Sequence, residues 1–280
     1  MRMVSIILLW WSRTKELEKM AQECLNSVLK NTLYENYEVI IIENKPTVHN
    51  ESKAIDAVYP SNFLKELNND KVRIFTQDEN LGFVRGNNLG FKLAGDNDVL
   101  LLNNDTQVPE GWLAPIVAVL DSHDDCAMAM PIQIHKGSSE YFELDGDIPK
   151  ILEYLKNIIK RSDHVDKSEP MINGNWLPLC ATLINRKALK KVGDLDENFA
   201  LGGFEDIDYS WRCLDANTKL YVTSGSAIFH HYGQSFHYHE GYAEVWVDKG
   251  KYLMNKHDAK QDSKGNCYRE KDKPEGWKPQ

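Results

Sequence analysis

Short apolar runs alternate with helically spaced apolar positions through the first half of the chain. Val4 to Leu9 is a continuous apolar run of strand length, and Leu17, Met20, Ala21, Cys24, Leu25, Val28 and Leu29 then recur at helical spacing. Tyr37 to Ile42 predicts a second strand, and a looser polar helix with Ala54, Ile55 and Val58 follows, broken by Pro60. Val72 to Phe75 predicts a third strand, a helix ends near Ala94, and Val99 to Leu102 predicts a fourth strand. Strand and helix in strict alternation imply a parallel sheet with crossover helices. Pro109, Gly111 and Trp112 lead into a helix to about Ser122, and Ala127 to Ile134 reads as a strand.

From His135 to Pro170 the pattern weakens, with one amphipathic helix expected over Ile148 to Ile159 inside an insertion. Asn173 to Asn175 reads as a turn into a strand-like run from Trp176 to Ile184. Phe204 to Leu214 predicts a helix, Leu220 to Thr223 and Ala227 to Phe229 two strands, and Tyr242 to Met254 a closing helix. From Lys256 onward the chain is polar and charged and is expected to fray.

Polar residues cluster after each early strand: Trp11 and Ser12, Glu43 and Asn44, Asp78 and Asn80, then Asn103, Asn104 and Asp105. In open α/β sheets ligands bind at the carboxyl ends of the strands. Four such clusters would converge on one edge. A carboxylate there can hold a hard cation, which can hold a diphosphate; a plain polar turn accounts for Asn103 to Asp105 equally well.

The 280 residues suffice for one large α/β domain or two small ones, and 42% hydrophobic content supports a core. The net charge of -9 argues against nucleic acid as the main partner. Cys24, Cys126, Cys180, Cys213 and Cys267 form no C-x-x-C pair, which favours a reducing, cytoplasmic compartment over a disulfide framework. No apolar run is long enough to span a bilayer, and none carries a signal-peptide cleavage pattern.

Three stretches carry candidate chemistry. The first is Asn103 to Asp105. In the second, Gly202-Gly203-Phe204-Glu205-Asp206-Ile207-Asp208, two glycines lead into carboxylates at a helix start. The helix dipole favours their charged form, and a charged carboxylate in a pocket can take a proton from a hydroxyl. Capping plus a solvated acidic face is the plainer account, with Ile207, Trp211 and Leu214 inward and Glu205, Asp208 and Arg212 on other faces. In the third, His230 and His231 follow an apolar strand, so one of the two rings is expected to enter a site. An imidazole there can ligate a first-row cation. His237 and His239 continue at alternate positions without a zinc-site context. Between the third strand and its helix, Gly82 and Gly86 either admit an anion to backbone amides or simply serve a turn.

Taken in order, these segments resemble one family, the family 2 glycosyltransferases of the GT-A fold, near its rhamnosyltransferase-like branch. The likeness rests on Val4-Ser5-Ile6-Ile7-Leu8-Leu9-Trp10-Trp11, on Glu43-Asn44, on Asn80 to Gly90 and on Asn103-Asn104-Asp105-Thr106. It continues through Gly193 to Phe199, Glu205 to Asp208, and His230 to Ser235.

The resemblance implies a Rossmann-like, mostly parallel central sheet flanked by helices, with a smaller acceptor-side subregion. One domain would cover 1–255, its nucleotide-sugar half about 1–132 and its acceptor half about 133–255, with a polar tail at 256–280. It implies inverting transfer of a sugar from a UDP- or dTDP-sugar to a carbohydrate or lipid-linked saccharide, with Mn2+ or Mg2+, by an enzyme that can visit the membrane surface. Surface polysaccharide or glycoconjugate synthesis would be the setting.

Residue by residue, it implies metal binding by Asp105 and His230 and general-base catalysis by Asp206. Donor contacts would fall to Trp11, Glu43, Asn80, Gly82, Arg85, Asn87, Asn88, Asn103 and Asn104. Trp176, Cys180, Glu205 and Asp208 would line the acceptor side. Asn103 stands where many members carry an aspartate, and Cys180 where glycine is common. A sugar nucleotidyltransferase would need a glycine-rich basic loop near the first strand, which Trp10-Trp11-Ser12-Arg13 does not resemble. A non-catalytic carbohydrate-binding protein of this fold would be expected to have lost its acidic residues, yet Asp105, Glu205 and Asp206 are present.

Overall fold

The computed structural model describes residues 1–46, 56–161, 168–170, 176–200, 202–234, 242–263 and 265–272. Strands β1 (Val4–Trp10), β2 (Tyr37–Glu43), β3 (Val72–Thr76) and β4 (Asp98–Leu102) pair in parallel in the order β3-β2-β1-β4. Helices α1 (Lys15–Asn31) and α3 (Gly82–Leu93) make two of the crossovers, and the short α2 (Asn62–Glu66) lies in the third. The sheet continues through β8 (Thr182–Ile184), β6 (Cys126–His135) and β9 (Lys219–His230) to β5 (Thr106–Gln107), with β7 (Ser168–Pro170) also on β9. β8, β5 and β7 run against the other six strands, so the nine-stranded sheet is mostly parallel, as expected.

The continuous apolar runs exist because the sheet is covered on both faces. Alternate residues divide between two cores. Ile6, Leu8, Val39, Ile41, Leu100 and Leu102 pack with α1 and with α4 (Leu113–Ser122). Ile7, Ile40, Ile42, Val99 and Leu101 pack instead with α3, α7 (Arg186–Val192) and α8 (Glu205–Asp215). A third cluster joins Ile151 and Leu155 of α6 (Ile148–Arg161) to Ile134, Ala227 and Phe229, so the expected insertion helix covers the sheet's far end. α5 (Ser139–Glu143) precedes it.

Gly86 and Gly90 of α3 serve packing. A Cβ on Gly90 would come within 2.5 Å of Ile7 Cδ1, and one on Gly86 within 2.9 Å of Leu9 Cδ2. Their absent side chains let α3 lie close against β1, which corrects the anion-cradle reading for Gly86.

Several boundaries differ from expectation. The two strands expected over 220–229 are one strand, β9, whose pairing with β6 slips between Pro131 and Ile132. Of the strand-like run from Trp176, only Thr182–Ile184 is strand, and Ala181 turns with φ 56°. The start of the helix expected near Ala54 and Ile55, the turn at Asn173 to Asn175, and Ser235, His237 and His239 lie outside the described residues.

The expected frayed tail is the largest correction. α9 (Tyr242–His257) runs past Met254, and β10 (Lys260–Gln261) and β11 (Cys267–Tyr268) form a hairpin. Arg269, 2% exposed, pairs with Asp215 at 2.8 Å and lies 5.0 Å from the Trp211 ring centre. A few anchors, Cys267 and Arg269 above all, fix a segment whose composition is otherwise polar.

Candidate active site

The parallel register aligns the strand ends. Trp10 pairs with Glu43, Glu43 with Thr76, and Leu8 with Leu102. The loops after β1, β2, β3 and β4 therefore leave the sheet along one edge. Asn44 N–H donates to the Trp10 carbonyl (2.8 Å), and Asn44 Oδ1 accepts from Leu81 N–H (3.2 Å), tying three of these loops together. The buried Ser12 hydroxyl on this edge has no hydrogen-bond partner among the described residues. An open groove of about 620 Å³ lies at the other end of β2, around Tyr34 to Tyr37 and Asn68 to Lys71.

Asn103, Asn104 and Asp105 form the turn from β4 into β5. The Asn103 carbonyl accepts from Thr106 Oγ1 (2.8 Å) and from Cys24 Sγ (3.5 Å), which holds the turn from inside. β5 pairs antiparallel with the end of β9, Thr106 opposite His230, and the Asp105 carbonyl accepts from His231 N–H at 2.9 Å. That pairing brings residues more than a hundred positions apart side by side: His230 Nε2 lies 3.1 Å from Asp105 Oδ1, both side chains nearly buried. Cys180, just before β8, places Sγ 3.6 Å from His230 Nδ1 and 3.8 Å from Nε2.

Burial alone would lower the His230 pKa, but Cys180 and Asp105 beside it lift it to about 10. His231 is the opposite case: burial holds its pKa down, and its ring packs edge-on against Phe229 at 4.9 Å. Of the two rings, that of His230 faces Asp105 and that of His231 packs on Phe229.

Asp206 occupies the first turn of α8, half-buried, with Oδ1 accepting from Ile207 N–H at 2.8 Å. Burial raises its pKa above the usual carboxylate range. Ser210, one turn further along α8, accepts from Leu177 N–H at 3.0 Å, and three residues on from Leu177 is Cys180, against His230. Three residues of chain span about 10 Å at most, so the middle of α8, at Ser210, and the His230 ring are linked by one short segment, next to which stands the partly buried Trp176.

Other sequence-derived candidates are committed elsewhere. Glu43, 2% exposed, accepts from Ser61 N–H (2.6 Å) with one oxygen and from Thr76 Oγ1 (2.7 Å) with the other. Asn80 Oδ1 accepts from Gly82 N–H (2.9 Å), an Asx turn that sets the start of α3, where Gly82 has φ 67°. Asn87 Nδ2 donates to the Phe83 carbonyl, and Asn88 is bonded in both directions to the Leu195 backbone at 2.9 Å. Asn87 and Asn88 thus serve α3 and its junction with the Gly193–Phe199 segment. Arg85 is exposed, 3.4 Å from Glu79.

Two acceptor-side candidates are bonded within the protein. Asp208 is fully buried, with Arg212 Nε at 2.8 Å, Lys256 Nζ at 2.6 Å and His257 Nε2 at 2.8 Å. Burial would raise its pKa, but His257, Arg212 and Lys256 hold it below the ordinary value. It anchors α9 to α8. Glu205, 8% exposed, turns back to accept from Gly203 N–H and faces the Lys249 ammonium. Burial and the Asp206 charge push its pKa up. Lys249 and Cys24 were not foreseen; neither lies in a motif, and only cross-chain packing brings them here.

The donor set suits a divalent cation. Two donors each about 2.1 Å from one ion, at right angles, stand about 3 Å apart, and Asp105 Oδ1 and His230 Nε2 are 3.1 Å apart. Among the described residues no three His, Cys, Asp or Glu side chains are gathered as a metal cluster.

Comparison with known proteins gives this arrangement a context. The family model for glycosyl transferase family 2 matches residues 11–193. Uncharacterized proteins of Mycobacterium bovis and Mycobacterium tuberculosis are each 30% identical over 169 residues, covering 58% of this chain. The chain aligns with 58% of the length of those relatives. Among solved structures, GalNAc-T7 with UDP, GalNAc and Mn2+ superposes with a TM-score of 0.58 at 16% identity, over 82% of this chain and 44% of that one. TarS 1–349 of S. aureus in complex with UDP-GlcNAc superposes with a TM-score of 0.62 at 14% identity, over 90% of this chain and 66% of that one. At such identities the likeness is one of fold, and the fold is the GT-A type expected from the sequence. No described helix is long and apolar enough to cross a membrane.

Proposed function

The chain belongs to glycosyl transferase family 2, and from that premise we propose that it is an inverting glycosyltransferase using a UDP- or dTDP-sugar and a divalent cation. The acceptor is a hydroxyl of a carbohydrate or lipid-linked saccharide. The observation that carries this reading is the 3.1 Å approach of His230 Nε2 to Asp105 Oδ1 at the carboxyl edge of the sheet. The TarS structure contains UDP-GlcNAc and the GalNAc-T7 structure UDP and Mn2+, which supports a nucleotide-diphosphate donor with a metal here.

Asp105 and His230 would hold the cation. A bound divalent ion spreads the negative charge that develops on a departing diphosphate. Trp11, Arg85 and Asn104 retain accessible surface beside the strand-end loops and are the side chains we assign to the donor. The buried, unpartnered Ser12 hydroxyl joins them as a donor contact. Glu43, Asn80, Asn87 and Asn88 shape the loops from behind. Asp206, at the positive end of α8, takes the proton from the acceptor hydroxyl as that oxygen attacks. Glu205 is less suited, because it is buried and turned back onto Gly203 N–H, whereas Asp206 is only half-buried. Cys180, against His230, and the nearby Trp176 are the side chains we assign to the acceptor side.

A thermal-shift screen of UDP-, dTDP- and GDP-sugars, with and without Mn2+, tests the reading. A uridine or thymidine donor at about a hundred times its Kd should stabilise the protein by about 2.7 kcal/mol. That is a rise of several degrees, appearing only when the cation is present. No stabilisation by any nucleotide sugar would remove the proposal.

A further inference from the structure

The turn that leads into α8 is unusual in its backbone. Ala200 has φ 35°, Gly202 115°, Gly203 108° and Phe204 70°, so two non-glycine residues and two glycines occupy the left-handed half of conformational space within five positions. Such a segment persists only where its surroundings over-determine it.

α9 supplies the surroundings. The Trp246 ring lies 4.5 Å from that of Phe204, and Gly250 lets the helix approach so closely that a Cβ there would be 3.3 Å from Phe204 Cζ. Lys249 between them is 6% exposed, and its ammonium donates to the Gly202 carbonyl at 2.6 Å. Glu205 accepts from Gly203 N–H. The Gly202 carbonyl and the Gly203 N–H belong to one peptide unit. That plane is held at its oxygen by the buried Lys249 ammonium and at its nitrogen by the buried Glu205 carboxyl, and the lysine bond is charge-assisted. Turning the plane over would break both and present the Lys249 ammonium with an N–H instead of a carbonyl.

Asp206 follows this plane by three residues, in the first turn of the helix that the plane initiates. We propose that Lys249, with Glu205, locks the Gly202–Gly203 peptide in one orientation and so acts as a positioning residue for Asp206. The inference rests on the glycosyltransferase reading above. Lys249 touches no reacting atom in this account; it decides where the base stands.

Lys249→Met, Lys249→Arg and Glu205→Leu separate this role from a contribution to stability. In Lys249→Met, kcat should fall at least tenfold while the donor KM and the calorimetric Kd for UDP with Mn2+ stay within twofold. Lys249→Arg, which keeps a cationic donor, should recover most of kcat. Glu205→Leu, which removes the acceptor oxygen, should also lower kcat, and combining it with Lys249→Met should cost less than the product of the two separate losses, because both act on one peptide.

Hydrogen exchange at the Gly203 amide gives a readout independent of turnover: protection should drop at least tenfold in Lys249→Met while the amides of β1 and β4 keep theirs. A folded Lys249→Met with kcat within twofold of wild type, or with Gly203 as protected as before, would overturn the proposal. If Lys249→Met does not fold, Glu205→Leu with unchanged kcat and unchanged Gly203 protection does so. A wild-type protein inactive with every donor would overturn the glycosyltransferase reading instead, and Gly203 exchange would still decide whether the lock exists.

Discussion

Asp206→Asn should cut sugar transfer by about a hundredfold or more and leave donor binding intact. Asparagine has nearly the same shape, and its side-chain oxygen can still accept from Ile207 N–H as Asp206 does at 2.8 Å, so the first turn of α8 is preserved. What disappears is the ability to take a proton. General-base catalysis is worth about 10²–10⁴ in rate, and kcat should fall by that factor while the Kd for UDP with Mn2+ changes less than twofold. In the wild type the same carboxyl is raised by burial. Transfer needs its ionised form, so kcat should climb with pH through a midpoint above the aspartate value of about 3.9, and Asp206→Asn should lack that limb. Stopped-assay kinetics from pH 4 to 8 measure both. Full transfer by Asp206→Asn would remove the base assignment.

Asp105→Ala should remove cation-dependent donor binding, by at least a hundredfold in UDP affinity measured by calorimetry with Mn2+. The same change strips His230 of its buried carboxylate. Breaking a buried pair by deleting one partner costs about 3–5 kcal/mol. The sign with pH follows from the raised pKa of His230, about 10. A histidine raised in the folded state contributes stability in full below its unfolded value of about 6.5, and that contribution fades as pH rises through the folded value. The metal-free variant should therefore lose most stability relative to wild type near pH 6 and least above pH 10, as read by denaturant unfolding. Equal destabilisation at both pH values would show that the pair is uncharged in the folded protein.

Much of the fold was legible because its signals are local. Val4 to Leu9, Tyr37 to Ile42 and Val99 to Leu102 are apolar on both faces, and only a doubly covered strand needs that pattern. The convergence of the strand-end loops followed from the parallel order alone. The approach of His230 to Asp105 was reached through resemblance; its physical cause is the two-residue strand β5 pairing with β9, too short to leave a periodic signal.

The losses have the same root. Asn87, Asn88 and Glu43 look like ligand residues in one dimension, since buried hydrogen bonding to a distant backbone draws on the same polar side chains as a site does. Asp208 reads as an outward acid until α9 brings Lys256 and His257 onto it. Residues 256–272 read as a tail because a hairpin held by Cys267 and Arg269 needs little apolar sequence. Lys249 carried no signal, because the peptide it grips lies 47 positions earlier.

The account stands or falls on where the cation and the diphosphate meet the protein. Crystals grown with Mn2+ and UDP, measured at the manganese absorption edge, locate the ion directly. One anomalous peak within about 2.3 Å of both Asp105 Oδ1 and His230 Nε2, bridging to the diphosphate and with Asp206 opening onto the same pocket, is the predicted result. A nucleotide seated away from this pair, or a peak elsewhere on the molecule with Asp105 and His230 still bonded to each other, would contradict it.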